Sequence, residues 1–538
     1  MPFEQPDYNA FTGDAVLSRA LEREGAGWAR ERAAQLGAAI GSFELRELAR
    51  QANQYLPELR THDRFGNRID TVDFHPSYHQ LMSKAYASEV HSLAWTATEE
   101  RSQVARGALS YLWNQGENGI CCPTVMSYAI IPLLRSDAEL GARWENLVLS
   151  NDYDNRHIPF AQKRGITVAM GMTEKQGGSD LRANETEAIP TGADREYILR
   201  GHKFFCSAPM GDLYLVTART AEGISLFIAP RILPDGQRNA IRIERLKDKL
   251  GSRSNASSEI ELDGALAYRI GEPGRGIRQF IKNMTHYIRM DLSIASAAIM
   301  RQSLTLAMHH TSNRSAFGST ISSLPQMQNT LADLAIESEA ALLLGMRLAR
   351  AADDEHLSDH DRLLIRVAVP VAKYWNCKRV NHVALEALEC HGGMGYVEEQ
   401  SIARLYREAP LNGIWEGSSA MMGLDLMRAL RGDNATREAL MDEINLAKGA
   451  HRKFDAYVAK LDRALMDVSD NFEPHARRVM AMIAMALQGS LLLRFSTEDV
   501  ADAFVNSRLG TDYGSEFGTL TASPNALKRI IERASISG

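Results

Sequence analysis

The chain has 538 residues and a mass of 59.6 kDa, too much for one small core and enough for roughly three to four domains. Hydrophobic residues at 45% and charged residues at 24% exclude a disordered chain, and a formal net charge of −6 removes nucleic acid as the default partner, a local basic patch aside. Five cysteines, odd in number and without zinc spacing, argue for reduced thiols in the cytoplasm and against a metal site.

The opening residues Met1-Pro2-Phe3-Glu4-Gln5 lack the charged-then-apolar pattern of a secretory leader. Residues 1–165 read as mostly helical: 15–36 is rich in Ala, Glu, Arg and Leu, and 102–113 and 124–134 are further candidates. The pattern changes near Gly165. Across 166–265, apolar runs at 166–170, 197–199, 213–216, 225–228 and 258–262 are punctuated by Gly, Pro and Asp, as in a β-domain. Helical periodicity then returns, and 290–310, 326–351, 363–388 and 412–430 are long enough for a four-helix bundle over 266–430. Arg431-Gly432-Asp433-Asn434 reads as a boundary, and 431–538 as a helical extension. Its apolar stretch 480–493 is shorter than the ~20 residues that cross a bilayer, so it reads as a buried or interface helix. The fold class is α+β and mostly helical.

Several segments carry residues suited to chemistry. In Met170-Gly171-Met172-Thr173-Glu174-Lys175-Gln176-Gly177-Gly178-Ser179-Asp180 an apolar strand enters a loop of hydroxyls and glycines. The glycines admit a planar or phosphorylated ligand and Thr173 and Ser179 offer short donors; a plain hairpin loop is the alternative. Gly201-His202-Lys203-Phe204-Phe205-Cys206-Ser207-Ala208 couples aromatic bulk to a hydroxyl at a strand edge, where aromatics also serve as core. The charged run from Leu246 to Ser254 reads as a loop before a strand, or as a solvated turn. In Arg314-Ser315-Ala316-Phe317-Gly318 the arginine is able to grip a pyrophosphate, unless it is a surface residue only.

The richest tract is 389–419. His391-Gly392-Gly393-Met394-Gly395-Tyr396 offers backbone N–H groups to a phosphate without being a Rossmann fingerprint. Ile414-Trp415-Glu416-Gly417-Ser418 sets a carboxylate beside an indole that desolvates it and a glycine that admits a ligand. The alternative for Glu416 is an acid stabilised at a helix N-terminus.

In this order and spacing, over roughly residues 80–430, these segments resemble the acyl-CoA dehydrogenase family. Asp235-Gly236-Gln237-Arg238-Asn239-Ala240-Ile241-Arg242, Lys247-Asp248-Lys249-Leu250-Gly251 and the long ends are similar to its alkylation-response branch. The resemblance implies an N-terminal helical domain, a middle β-barrel, a C-terminal helical bundle and FAD as cofactor. By position it implies that Thr173 and Ser207 hydrogen-bond the flavin ring, with Met170, Gly178, Cys206, Ile414, Trp415, Gly417 and Ser418 around it. Phe205 falls where many members place Trp against the ring, and Ser179 near cofactor or ligand phosphates. Arg314, Phe317, Gly392 and Gly393 would hold pyrophosphate and adenosine across a subunit interface, which implies a homo-oligomer, a tetramer in this branch. Two positions depart from many metabolic members, with Glu389 and Pro325 standing where glutamine is common.

The implied reaction takes the α-proton of an acyl thioester onto Glu416 while hydride leaves Cβ for the flavin, beside Arg289 and Trp415. Some members carry the base just before the arginine corresponding to Arg289; that residue is Ile288 here, which leaves Glu416 without a rival. Two roles remain open. One is a metabolic dehydrogenase of short or branched acyl-CoA; the other is an alkylation-response flavoprotein that also binds double-stranded DNA. The second draws on Arg452, Lys453, Arg477, Arg478, Lys528 and Arg529 in the extension, although acids and bases past residue 440 are nearly equal in number. An extension used only for oligomerisation fits the apolar stretch equally well.

Overall fold

The computed structural model describes residues 4–353, 358–432, 434–466, 470–510 and 516–536. Packing groups the chain differently from the four-part reading, into two compact units made of non-contiguous segments. A β unit comprises Glu44–Ala97 and Gly116–Ile288; a helical unit comprises Met1–Phe43, Thr98–Gln115 and Arg289–Gly538.

The β unit holds β1 (Glu58–His62), β2 (Arg68–Asp73), β3 (Val168–Thr173), β4 (Glu187–Pro190), β5 (Glu196–Ser207), β6 (Leu213–Thr220), β7 (Gly223–Pro230), β8 (Ile241–Leu246) and β9 (Ser257–Ile270). β1 and β2 form an antiparallel hairpin inside the stretch that reads as helical. The others run in the order β3-β5-β4-β6-β7-β9-β8, and further pairings β3–β6 and β5–β9 curl the sheet toward closure. β6 and β7 are buried along almost their whole length, which is why they read as continuous apolar runs. β8 alternates, with Ile241 and Ile243 inward and Arg242 and Glu244 outward, as a strand with one wet face does. Val72 of β2 joins Leu199, Phe227 and Ile260 in the barrel core.

In the helical unit the helices His286–Asn313, Pro325–Ala351, Asp359–Cys390 and Ser419–Gly432 supply the bundle. Pro325 occupies the first turn of its helix, where a missing N–H costs nothing, and Ser358 caps the next through Asp361 N at 3.0 Å. Between the first two, Phe317 (φ 53°) and Gly318 (φ 79°) form the turn of a short hairpin, left-handed at both positions. The reading of 412–430 as one helix is corrected: the helix begins at Ser419, because Glu416 (φ 54°) and Gly417 (φ 99°) hold conformations a helix cannot contain. The reading of 15–36 as one helix is divided likewise, at a left-handed Gly25 (φ 92°).

The C-terminal segment belongs to the helical unit instead of standing apart from it. Arg508 is buried against Asp333 and, at 3.2 Å, against Glu337; Arg533 pairs with Glu339 at 2.8 Å and Glu443 with Arg347 at 2.7 Å. Asp433, part of the expected boundary, lies outside the described residues. The segment Phe472–Phe495 is long and apolar enough to cross a membrane by length and composition, more than the shorter stretch first read there. Its window is 67% buried within the protein, as in the core helix of a helical bundle.

Candidate functional site

In the β unit, the strand pairing sets Met170 opposite Ser207 and Thr173 opposite Phe205 across β3 and β5. This brings the predicted ring-binding residues of that unit to one strand edge. The hydroxyls of Thr173 and Ser207 make no hydrogen bond to any described residue, and the Phe205 ring is 49% exposed. Two unclaimed hydroxyls and an open aromatic face are what a flavin ring requires. Gly178 and Ser179 are exposed on the adjoining loop. Cys206 is the exception: its thiol is buried in the barrel core, where burial pushes its pKa up to about 12, so only its backbone is offered at the edge.

The loop after β3 is fixed by a pair that the motif reading missed. Glu174, buried, accepts from Lys203 Nζ at 2.6 Å, from Glu185 N at 2.6 Å and from Thr186 Oγ1 at 2.6 Å. Lys203 also donates to Thr217 O at 2.7 Å. Burial disfavours the charge on both partners; the Lys203 ammonium and these donors more than offset it for Glu174, which is held below its ordinary range. A tight turn closes from Glu174 N to Gly177 O at 2.8 Å, so the Thr173–Ser179 loop is preorganised. Phe205 gains a second support, since Lys247 Nζ lies 4.5 Å from its ring centroid.

In the helical unit, Glu416 sits on the left-handed turn before the Ser419–Gly432 helix. Arg289 Nε donates to the backbone O of Glu416 at 3.0 Å while its Nη1 pairs with Asp425 at 2.5 Å. Lys373 Nζ donates to Gly417 O. The carboxylate itself makes no hydrogen bond to any described residue. Burial raises its pKa, and the Arg289 and Lys373 cations pull the other way. Gly417 is required here: an added Cβ would meet Met422 Cε at 2.8 Å at a φ of 99°. The buried indole N–H of Trp415 finds no acceptor among the described residues, and Ile414 is exposed beside it. That orphaned donor fits a loop completed by a bound group. Lys373 and Asp425 were not anticipated; the signal for Lys373 was a lone cation in the apolar run Val367-Ala368-Val369-Pro370-Val371-Ala372.

A second cluster of the helical unit gathers Arg314, Gly392 and Gly393. His310 and His391 bring the helix ends together with ring centroids 4.6 Å apart, and the Arg314 charge acts on His310. Arg314 has no acceptor among the described residues, no atom lies within 4 Å of a Cβ added at Gly392 or Gly393, and Phe317 is 97% exposed. These features leave room for a phosphate and an apolar cover. Of the six basic residues of the extension, Arg452, Lys453, Arg477 and Arg478 are exposed with no ion pair among the described residues. Arg529 is taken by Asp499 at 2.6 Å, and Lys528 lies 3.8 Å from Glu532.

Three stretches of the chain match known protein families. Residues 1–155 match the adaptive response protein AidB N-terminal domain, 169–265 the acyl-CoA dehydrogenase middle domain and 274–431 the acyl-CoA dehydrogenase C-terminal domain. The chain is 40% identical over 518 residues to AidB of Escherichia coli (strain K12), covering 95% of each. It resembles the crystal structure of Caenorhabditis elegans ACDH-11 in complex with C11-CoA at a TM-score of 0.84 and 26% identity, covering 99% of this chain and 92% of that one. An acyl-CoA dehydrogenase from Bacillus anthracis complexed with FAD shares the fold at a TM-score of 0.66 and 15% identity, over 85% and 83% of the chains.

Proposed function

Because the chain belongs to the acyl-CoA dehydrogenase family, as an FAD-dependent oxidoreductase with an AidB-type N-terminal domain, we propose that Glu416 is its general base toward an acyl-CoA thioester. The observation that carries this reading is a carboxylate free of protein partners, on a turn whose two neighbouring carbonyls are gripped by Arg289 and Lys373. FAD would supply the hydride acceptor, and in the β unit Thr173, Ser207 and Phe205 are the residues fit to hold its ring. Glu416 takes the α-proton. Burial raises its pKa, which strengthens it as a base, and the Arg289 and Lys373 cations oppose that rise. The C11-CoA complex of the C. elegans relative supports a fatty acyl-CoA as ligand class.

The test is the visible absorbance of the FAD-loaded protein against butyryl-, isovaleryl- and undecanoyl-CoA under anaerobic conditions. Bleaching by at least one of them is expected; a spectrum unmoved by all three would remove the dehydrogenase reading.

A second reading adds double-stranded DNA and a role in the response to alkylation. Its support is the set Arg452, Lys453, Arg477 and Arg478, exposed and without ion pairs among the described residues, in a chain 40% identical to AidB. Lys528 and Arg529 contribute less, being neutralised by their own acids. In a gel shift across a salt series, changing those four residues to Gln should weaken duplex binding and flatten its salt slope. Absence of binding by the unmodified protein at low salt would sink this reading and leave the metabolic one.

A further inference from the structure

A cavity of about 460 Å³ lies within the β unit, in the roughly 300–1,000 Å³ range of small-molecule sites. None of the residues assigned above to the flavin lines it. Its lining carries no surplus charge: Arg60 pairs with Asp73 at 2.5 Å, Asp154 with Arg156 at 2.6 Å and Lys163 with Asp212 at 2.6 Å. Burial lowers the pKa of His79, and burial, ahead of the Arg231 and Lys163 charges, lowers that of His157 to about 4. Both imidazoles on the wall are therefore uncharged near neutral pH. A ligand with a net charge would leave water for a wall that has no counter-charge to spare.

Much of the lining is aromatic. Phe74 stacks on Tyr78 with centroids 4.1 Å apart and planes at 13°, and the His79 ring stands edge-on to both, 5.8 and 5.7 Å away. Met82 and Met210 continue the apolar surface. Two polar groups among these residues have no protein partner. His79 Nδ1 lies 3.0 Å from the Tyr153 hydroxyl and 3.3 Å from Asn155 Nδ2. An amide nitrogen only donates, so Nδ1 is the accepting nitrogen and the ring proton sits on Nε2. No described residue accepts from Nε2. Tyr78 is 5% exposed, and its hydroxyl makes no hydrogen bond to any described residue.

We propose that this cavity is a second ligand site for a small uncharged aromatic carboxamide, its ring against Phe74 and Met82, its carbonyl accepting from His79 Nε2 and its amide nitrogen donating to the Tyr78 hydroxyl. A primary amide carries one acceptor and one donor side by side, which answers an imidazole N–H and a phenolic oxygen together. A carboxylate of the same shape brings a charge and no donor. A saturated ring with the same amide lacks the π face that the Phe74–Tyr78 pair favours.

Isothermal titration of the FAD-loaded full chain with benzamide, benzoate and cyclohexanecarboxamide at neutral pH tests this. Benzamide should bind one per chain, with benzoate weaker by at least about tenfold and the saturated amide by about threefold or more. Saturating acyl-CoA should not displace it. His79→Phe keeps a ring and removes the donor, and should lower benzamide affinity by at least about tenfold with the flavin spectrum unchanged. Should that variant fail to fold, Phe74→Leu, a change at a half-buried position, should erase the preference for benzamide over its saturated analogue. Absence of benzamide binding, equal binding of benzoate or of the saturated amide, or displacement by acyl-CoA would each overturn the proposal. So would unchanged affinity in a folded His79→Phe protein, or an unchanged preference in Phe74→Leu.

Discussion

Glu416→Gln is expected to lower acyl-CoA-dependent flavin bleaching by at least about 10³-fold while the protein keeps its FAD. The separation of the two effects follows from how the turn is held. Arg289 grips the backbone O of Glu416 and Lys373 the O of Gly417, so neither contact uses the carboxylate. Glutamine has the same shape and leaves both grips, and the left-handed turn, in place. What it removes is the only group in the loop able to take a proton. The pH dependence has a definite sign. Burial raises the Glu416 pKa above its ordinary 4.5, so the bleaching rate should climb with pH along a limb displaced upward from there. The same raised pKa makes the native state bind its proton more tightly than the unfolded chain, so any stability it adds is lost as pH rises through the folded value. Stopped-flow bleaching of both proteins from pH 3.5 to 9 measures these, and a variant with unchanged turnover, or a limb below 4.5, would take Glu416 out of the mechanism.

Arg508→Met is expected to destabilise the protein by about 3–5 kcal/mol, read as the shift of its chemical denaturation midpoint. Arg508 is 97% buried by its side chain's exposure of 3% and serves both Asp333 and Glu337. Glu337 retains Arg379 at 2.8 Å, but among the described residues Asp333 keeps only the backbone N–H of Gly518 at 3.0 Å. Asp333 already titrates above its ordinary range because burial outweighs the Arg508 cation. Without that cation it rises further, and a group raised on folding loses its contribution as pH increases through the folded value. The deficit should therefore be larger at pH 8 than at pH 5.5. The double change Arg508→Met with Asp333→Asn should recover part of the loss, since no charge is then left buried alone. A single variant as stable as the parent at both pH values would show that the pair contributes little.

Much of this architecture was legible because periodicity survives where burial is one-sided or complete. The apolar runs of β6 and β7 and the long bundle helices fall in this class. The β1–β2 hairpin was not legible, since Glu58-Leu59-Arg60-Thr61-His62 is half exposed and largely polar, with no apolar face to announce a strand. β8 did alternate, but over six residues with two arginines and a glutamate it resembles a loop. Among the candidate residues of the two units, Thr173, Ser207 and Glu416 stand in short local motifs that single them out. The devices that hold them do not, because they bind across distance: Lys203 reaches Glu174 from 29 residues away and Lys373 reaches Gly417 from 44. The thiol of Cys206 points into the core because successive side chains of a strand face opposite ways and its neighbours took the open side.

The buried pairs that tie the extension to the bundle carry a lesson for dissecting the protein by truncation. Cutting near residue 431 would strip Asp333 and Glu339 of Arg508 and Arg533, and Arg347 of Glu443, at one stroke, leaving buried charges without their partners. The shortened protein would report the collapse of its bundle whatever the lost segment once touched. The extension is better regarded as a keystone than as a detachable module, and its surface chemistry has to be read through single residues changed in the whole chain.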